Sequence, residues 1–212
     1  LGGARWNMSR TRLPASGEFA ATTVEDDGFT GNLGVACAVT PSVRLVANVG
    51  QGFRAPNVFD LGTFGDRPGN RFNVPNPDLE SERVTTFDAG WKVVNDRLEG
   101  ELIGYYSRYR DKITSVLTGE VTDSGRLVVQ SQNAARLVLY GAEFSVQHRL
   151  SDAVEWRTQL TWTHGEETSA GDSYPADRIP PLNGSTGITW RPATRWTLDG
   201  WLNFADQQDR YS

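Results

Sequence analysis

The sequence is poor in the residues that build disulfides, metal sites and nucleic-acid interfaces. Its one cysteine, Cys37, excludes a disulfide within the chain. Two histidines, His148 and His164, are too few for a histidine-rich metal site. Only two of the 21 basic residues are lysines, and the net charge is −5 without any basic tract. This composition argues against a nucleic-acid partner, and we expect no metal and no cofactor.

Long apolar runs are also lacking. The longest run without a charged residue covers residues 28–43, which is 16 residues, and it contains Asn32 and Pro41. A membrane-spanning helix needs about 20 predominantly apolar residues. Helical periodicity is nearly absent along the whole chain. Neither a charged n-region nor an apolar h-region follows Leu1, so we expect that processing or truncation removed the natural start.

Alternation of apolar and polar residues is the pattern that is present. In residues 85–93, Phe87, Ala89 and Trp91 alternate with Asp88 and other polar or small residues. This period of two is typical of strands with one apolar face. Nine strands are predicted, at residues 2–12, 29–39, 43–52, 83–94, 97–109, 137–149, 154–165, 183–191 and 196–206.

The connections between these strands alternate strictly between short and long. Short turns fall at 40–42, 95–96, 151–153 and 192–194, and long loops at 14–28, 53–82, 110–136 and 166–182. Outer-membrane barrels have short periplasmic turns and long extracellular loops, and their strands need about 9–11 residues to cross the bilayer. Three tryptophans close to the short turns suit a membrane interface: Trp156, Trp190 and Trp196. A soluble β-sandwich, with these rings in its core, is the alternative.

The alternation also predicts two faces and two cross-strand pairings. A two-residue turn at Asn95-Asp96 would place Lys92 opposite Glu99. In the last hairpin we expect Trp190 opposite Trp196 on the lipid side. The residues expected on the lipid-facing surface are Phe87, Ala89, Trp91, Leu98, Leu102, Tyr140, Phe144, Leu160, Leu198 and Leu202. Those expected on the other face are Asp88, Lys92, Glu99, Glu101, Glu143 and Gln159.

Four short motifs, in order, resemble the barrel of TonB-dependent outer-membrane receptors. Residues 52–57 (GFRAPN) resemble the family's "GFRAP" box, and residues 76–82 (NPDLESE) its "NPNL-x-x-E" box, with Asp78 in place of the usual Asn. Residues 178–181 resemble its "R-I-P-P" run. A further match, to the family's "N…A…G-x-E" strand entry, comprises Asn133, Ala135, Gly141 and Glu143.

The resemblance implies an all-β, antiparallel, up-and-down transmembrane barrel of the 22-stranded type, with an N-terminal plug inside. Nine strands without a plug or a terminal aromatic strand predict that residues 1–212 are a partial barrel domain, an interior piece of the wall. The family's location is the bacterial outer membrane. Its mechanism implies capture of a scarce ligand, most often a ferric siderophore, and TonB-energised displacement of the plug. The partners implied are the TonB complex, acting through the missing N-terminal part, the small-molecule ligand and outer-membrane lipid.

Three other functions are compatible with parts of the pattern. A passive porin or complete small barrel is disfavoured by the odd strand number. An outer-membrane hydrolase would need a nucleophile near a histidine, and only His164, beside Glu166 and Glu167, is available. A soluble sandwich would act as a binding module. The sequence contains no G-x-S-x-G, HExxH or CxxC motif, so we expect no enzymatic activity. A haem receptor of this family would usually carry a His between the two boxes, and residues 57–75 contain none.

Recognition is expected in the long loops. Arginine offers a forked donor for carboxylate, phosphate or catecholate oxygens, and the aromatics Phe59, Phe64 and Phe72 lie among the arginines of loop 53–82. An alternative role for the same side chains is binding of lipopolysaccharide phosphates. The predicted ligand-binding candidates are Arg54, Arg67, Arg71, Arg110, Arg126 and Arg136.

Overall fold

The computed structural model describes residues 1–15 and 19–210, which form one twelve-stranded sheet and one short helix. No helix in these two ranges is long and apolar enough to cross a bilayer. The strands and the helix are β1 (Gly2–Leu13), β2 (Thr22–Ala38), β3 (Val43–Arg54), α1 (Val58–Gly62), β4 (Gly65–Arg67), β5 (Arg71–Val74), β6 (Glu82–Val94), β7 (Leu98–Val121), β8 (Leu127–Arg149), β9 (Val154–Ser169), β10 (Asp172–Pro175), β11 (Asn183–Ala193) and β12 (Trp196–Ala205).

All nine predicted strands are present and follow one another in an antiparallel meander. The order across the sheet is β1-β2-β3-β6-β7-β8-β9-β11-β12, which confirms the up-and-down topology. The three additional strands are short and belong to the loops. Strand β10 pairs with β9, and β4 pairs with β5, which also joins β8 in parallel.

The long connections are more ordered than the sequence predicts. Strand β7 continues to Val121 and β8 starts at Leu127, so the expected loop 110–136 is a projecting hairpin. Its β-branched residues, such as Ile113 and Val116, favour strands. Register shifts interrupt the ladder after Tyr109, next to Asp111, whose φ is 57°. Strand β2 likewise begins at Thr22, inside the expected loop 14–28.

The two predicted faces are confirmed by the pairing of the strands, because directly paired residues share a face. Trp91 pairs with Leu102, Leu102 with Phe144, and Phe144 with Leu160. We call this apolar side the outer face, and the side that carries Lys92 the inner face. Members of the outer face keep much of their surface exposed, as lipid contact requires; they include Phe87, Trp91, Leu102, Tyr106, Tyr140, Trp162, Trp190, Leu198 and Leu202.

The pairing predicted for the β6–β7 hairpin is wrong by two residues. Lys92 pairs with Glu101, and Val94 pairs with Glu99. The side chain of Asn95 accepts hydrogen bonds from the N–H groups of Arg97 and Leu98, at 3.0 and 2.9 Å. Asn95 therefore opens the turn and Asp96-Arg97 form its tip. A shift of two preserves the faces, and Lys92 still meets a carboxylate, since its Nζ lies 2.7 Å from Glu101 Oε2.

The pairing predicted for the last hairpin is also wrong. Trp190 pairs with Leu198, and Trp196 pairs with Ala193 across a register shift. Pro192 lies within that shift, and a proline has no N–H to donate to the ladder. The irregularity absorbs one residue, so Trp190 and Trp196 share the outer face but are not directly opposed.

The sheet is open over the part of the chain that the structure describes. Strand β1 lies at one border and β12 at the other, and no strand among these residues pairs with their outward edges. The buried apolar cluster is small and lies at the loop end of the sheet. It consists of Leu13, Leu61 and Leu79, with Val24 and Ile113 packed against it.

Candidate functional site

The loop between β3 and β6, residues 55–81, folds across the inner face at the end of the sheet where the long loops lie. We call the region that this loop borders the mouth. Leu61 of α1 is completely buried and packs with Leu13 and Leu79. Strand pairing places Leu13 and Val24 on the inner face, together with Asn32 and Lys92. The loop thus covers the inner face of the sheet. Its strand β5 pairs with residues 127–130 of β8, a part of β8 that does not pair with β9.

An ion-pair network joins the two sequence boxes at the base of this loop. Arg54 donates from Nε to Glu82 Oε2 at 2.7 Å and from Nη2 to Glu82 Oε1 at 2.8 Å. Its Nη1 also lies 2.7 Å from Asp60 Oδ2. Glu82 Oε1 accepts a further bond from the N–H of Ile113 at 2.8 Å. The bridge was not predicted from the sequence, where its only sign is the position of the two boxes at the two ends of one loop.

The network lies beyond the aromatic residues of the outer face, outside the membrane-spanning part of the strands. Burial opposes the charged form of Glu82, but the hydrogen bonds from Arg54 and from the Ile113 N–H outweigh it. The pKa of Glu82 therefore lies below its ordinary value of 4.5. The hydrogen bonds that Arg54 donates to Glu82 favour its charged form more than burial opposes it, so the pKa of Arg54 is raised. Both groups stay ionised and hold the loop to the wall.

Asparagine side chains complete the attachment of the loop. Asn57 caps α1 by accepting hydrogen bonds from the N–H groups of Phe59 and Asp60, and the Asp60 carboxylate accepts one from the Asn57 N–H. Asn133 of β8 accepts from the Glu80 N–H at 2.9 Å and donates to the Glu80 carbonyl at 2.8 Å. These bonds give the motif residues Asn57, Glu80 and Asn133 a structural role, that of shaping the mouth.

Four of the six predicted ligand-binding arginines lie at this mouth. Arg54 is engaged in the network just described. Arg67 and Arg71 are exposed and directly opposed across the β4–β5 hairpin, and Arg67 Nη1 donates to Ser115 Oγ at 3.0 Å. Arg126 forms an ion pair with Asp66 on the same hairpin.

The other two arginines point elsewhere. Arg110 of β7 pairs with Arg83 of β6 on the outer face, and Arg136 of β8 pairs with Thr168 on the same face. Both are exposed. The structure therefore divides the predicted set between the mouth and the lipid-facing rim.

Aromatic rings border the mouth beside the arginine hairpin. Phe64 packs edge-on against Phe72, with ring centroids 5.2 Å apart, and against Phe19, at 5.6 Å. Phe19, Phe59 and Phe64, together with Leu13, border a cavity of about 520 Å³. The expected aromatics Phe59, Phe64 and Phe72 thus lie together, whereas Phe19 was missed because it belongs to a different loop.

The His164 cluster is split between the two faces. His164 stacks on Tyr140 at 4.8 Å on the outer face. Glu167 instead forms an ion pair with Lys112, with Glu167 Oε2 2.5 Å from Lys112 Nζ. Within residues 1–15 and 19–210, no group of three or more His, Cys, Asp or Glu side chains is placed to hold a metal ion.

An antiparallel meander with an apolar outer face, a polar inner face and a loop folded over one end is a section of an outer-membrane barrel. The profile of the family described as "TonB dependent receptor-like, beta-barrel" matches residues 1–212. The chain belongs to this family, and its barrel lies in the bacterial outer membrane.

Curated relatives and solved structures agree with this assignment. The chain is 24% identical to the "Iron-regulated outer membrane virulence protein" of Vibrio cholerae serotype O1 over 172 residues, which is 77% of this chain and 26% of that protein. It is 22% identical to the "Ferric aerobactin receptor" of Klebsiella pneumoniae, covering 83% of this chain and 24% of that protein. The structure of the "Copper transporter OprC" superposes with a TM-score of 0.77 at 20% identity, covering 100% of this chain and 33% of that one. The chain thus spans about a quarter of the length of these curated relatives.

Proposed function

We propose that this chain is the part of an outer-membrane receptor that captures a ferric siderophore at its extracellular mouth. Uptake would then be energised by TonB through a segment outside these residues. The family assignment supports the transport role, and the names of the relatives, which include receptors for ferric aerobactin and ferric enterobactin, support the ligand class. The receptor does no chemistry on its ligand and is not an enzyme.

The observation that carries the proposal is the pair Arg67 and Arg71, which are exposed and directly opposed across the β4–β5 hairpin at the mouth. Like charges directly opposite each other in a sheet destabilise it, so an anion between them would relieve this cost. Anionic ferric chelates present carboxylate or catecholate oxygens, to which guanidinium groups donate paired hydrogen bonds. Phe72 follows Arg71 in β5 and therefore lies on the opposite side of the hairpin, where it packs against Phe64 and supports the hairpin from beneath.

The structure also indicates which arginines to mutate. Arg54 holds the loop in place, so its removal would disturb the mouth whether or not it touches ligand. Arg67 and Arg71 lie at the tip of the hairpin and can be replaced without breaking the Arg54–Glu82 bridge. The test is the double variant Arg67→Ala/Arg71→Ala in the full-length receptor.

Binding and energised uptake are measured with ferric aerobactin and ferric enterobactin in a strain that lacks other siderophore receptors. We expect the variant to bind whichever chelate the wild type transports about tenfold or more weakly. The matched control, Arg191→Ala/Arg195→Ala, removes the same charge at the short-turn end and should bind normally. Wild-type affinity in the Arg67/Arg71 variant would show that this hairpin is not the binding surface. Failure of the wild type to bind either chelate would count against the proposed ligand class.

A further inference from the structure

A group of arginines, which we call the rim arginine cluster, lies on the outer face at the loop end of the sheet. It comprises Arg83, Arg108, Arg110 and Arg136. Arg83 pairs directly with Arg110 across the β6–β7 ladder. Arg108 lies two residues beyond Tyr106 on the same strand, and Arg136 lies four residues from Tyr140 on β8. Because Tyr106 and Tyr140 are on the outer face, all four arginines point away from the mouth and toward lipid.

The positive charge of the rim arginine cluster is not paired with carboxylates in residues 1–15 and 19–210. Among the described residues, six basic side chains form ion pairs with carboxylates, and these are Arg10, Arg54, Lys92, Lys112, Arg126 and Arg157. None of the four rim arginines lies within ion-pair distance of a carboxylate in that part of the chain. Glu166 shares their face, opposite Val138, but forms no ion pair with them.

The cluster borders a concavity that could hold a phosphate group. Arg83, Arg108 and Arg110, together with Gln51 and Thr85, line a space of about 340 Å³. The hydroxyl and amide groups offer further hydrogen bonds beside the three guanidiniums. Arginine matches phosphate because its planar fork donates two parallel bonds.

The height of the cluster on the wall identifies the source of the phosphate. Tyr106 and Tyr140 belong to the level at which aromatic side chains meet the lipid headgroups, and the arginines begin two residues above them. The long loops mark this end as extracellular. At the opposite end, the outer face carries apolar residues such as Val43, Val93 and Leu98. The four arginines therefore face the headgroups of the outer leaflet and not those of the inner leaflet.

From this position we propose that the rim arginine cluster binds the phosphate groups of a phosphorylated glycolipid of the lipid A type in the outer leaflet. Arg83, Arg108 and Arg110 hold one phosphate in the concavity, and Arg136 adds a contact from the next strand. The apolar surface below, at Phe87 and Tyr106, packs against the acyl chains. The site is separate from the mouth, because it lies on the other face of the sheet.

The test measures retention of lipid A by the full-length receptor in detergent, using native mass spectrometry. The variant Arg83→Gln/Arg108→Gln/Arg110→Gln should bind lipid A on the order of a hundredfold more weakly than wild type. Arg136→Gln alone should have a smaller effect. The matched control, Arg97→Gln/Arg191→Gln/Arg195→Gln, removes equal charge at the short-turn end and should retain lipid A normally.

Two further arms identify the ligand chemistry. Dephosphorylated lipid A should bind the wild type as weakly as lipid A binds the triple variant. Inorganic phosphate should not displace lipid A, because it lacks the acyl chains; displacement would overturn a lipid site in favour of a free-phosphate site. Equal lipid A retention by wild type and triple variant would overturn the proposal altogether.

If the triple variant fails to fold, Arg108→Gln and Arg83→Gln are tested singly. Wild-type retention of lipid A in both single variants would also overturn the proposal. Siderophore binding, measured on the same samples, should remain at wild-type level, so this proposal and that for the mouth fail independently.

Discussion

At the residue scale, the side chains that shape the mouth are the charged and amide groups of the two sequence boxes. Arg54 and Glu82 stand at the end of β3 and the start of β6, and their paired hydrogen bonds close the base of the loop. The Glu82 side chain is only 16% exposed. Loss of a partially buried, charge-assisted pair costs more than loss of a surface ion pair, because the remaining charge stays desolvated.

Glu82→Gln should therefore loosen loop 55–81. We expect the loop to open more readily by about 1–3 kcal/mol, seen as faster amide hydrogen exchange in the full-length receptor. Because the pKa of Glu82 is lowered in the folded protein, its stabilisation is present above the ordinary value of 4.5 and is lost as the pH falls through the folded-state value. Wild-type protection should decline in that acidic range, and the Gln variant should lack this decline.

Glu80→Gln is the matched control, because Glu80 is exposed in the same loop. It should exchange like the wild type. Identical exchange in all three proteins would show that the Arg54–Glu82 bridge does not hold the loop.

At the element scale, close approach of strand backbones constrains particular glycines of the β6–β7 hairpin. A Cβ built on Gly90 would lie 2.0 Å from the Leu102 carbonyl oxygen and 2.8 Å from Ile103 Cα. These are backbone atoms, which cannot move without shifting the ladder. Gly104, on the neighbouring strand, meets nothing closer than 3.8 Å. The two glycines therefore differ in what they tolerate, although both are in the same hairpin.

Gly90→Ala should destabilise the full-length barrel by about 1–3 kcal/mol through overpacking, whereas Gly104→Ala should behave like the wild type. The measurement is the denaturation midpoint of the folded, heat-modifiable form in detergent. Equal midpoints for the two variants would mean that the backbones do not approach each other at Gly90 as described.

At the scale of the whole molecule, the sheet has an apolar outer face and two open borders. An unpaired N–H or C=O in the hydrocarbon region costs several kcal/mol. Strands β1 and β12 each present such a row over the described residues. A wall with two free edges is therefore stable in lipid only when further strands pair with it.

The isolated 212-residue polypeptide should for this reason not fold into a stable monomeric barrel. Refolded into detergent or lipid vesicles, it should show no heat-modifiable, protease-resistant monomer, and the full-length receptor treated in the same way should show one. A resistant monomer of the short chain would contradict the open-edged wall.

What the sequence by itself determined is the part of the structure that local chemistry controls. Alternation placed Phe87, Trp91 and Phe144 on one face and Lys92 on the other, because side chains of a strand point alternately to its two sides. Loop lengths predicted which end of the strands is extracellular, and the two boxes identified the barrel family.

Only the tertiary structure decided features that depend on distant segments or on a single side chain. The Asn95 side chain, by capping two N–H groups, set a register two residues from the predicted one, and an irregularity at Pro192 separated Trp190 from Trp196. Arg54 pairs with Glu82, from which it is separated by a loop of more than twenty residues. Arg67 and Arg110 look alike in sequence, yet one lies at the mouth and the other faces lipid. The face on which an arginine lies depends on the strand that carries it and on the register of that strand, and the register is known only from the paired sheet.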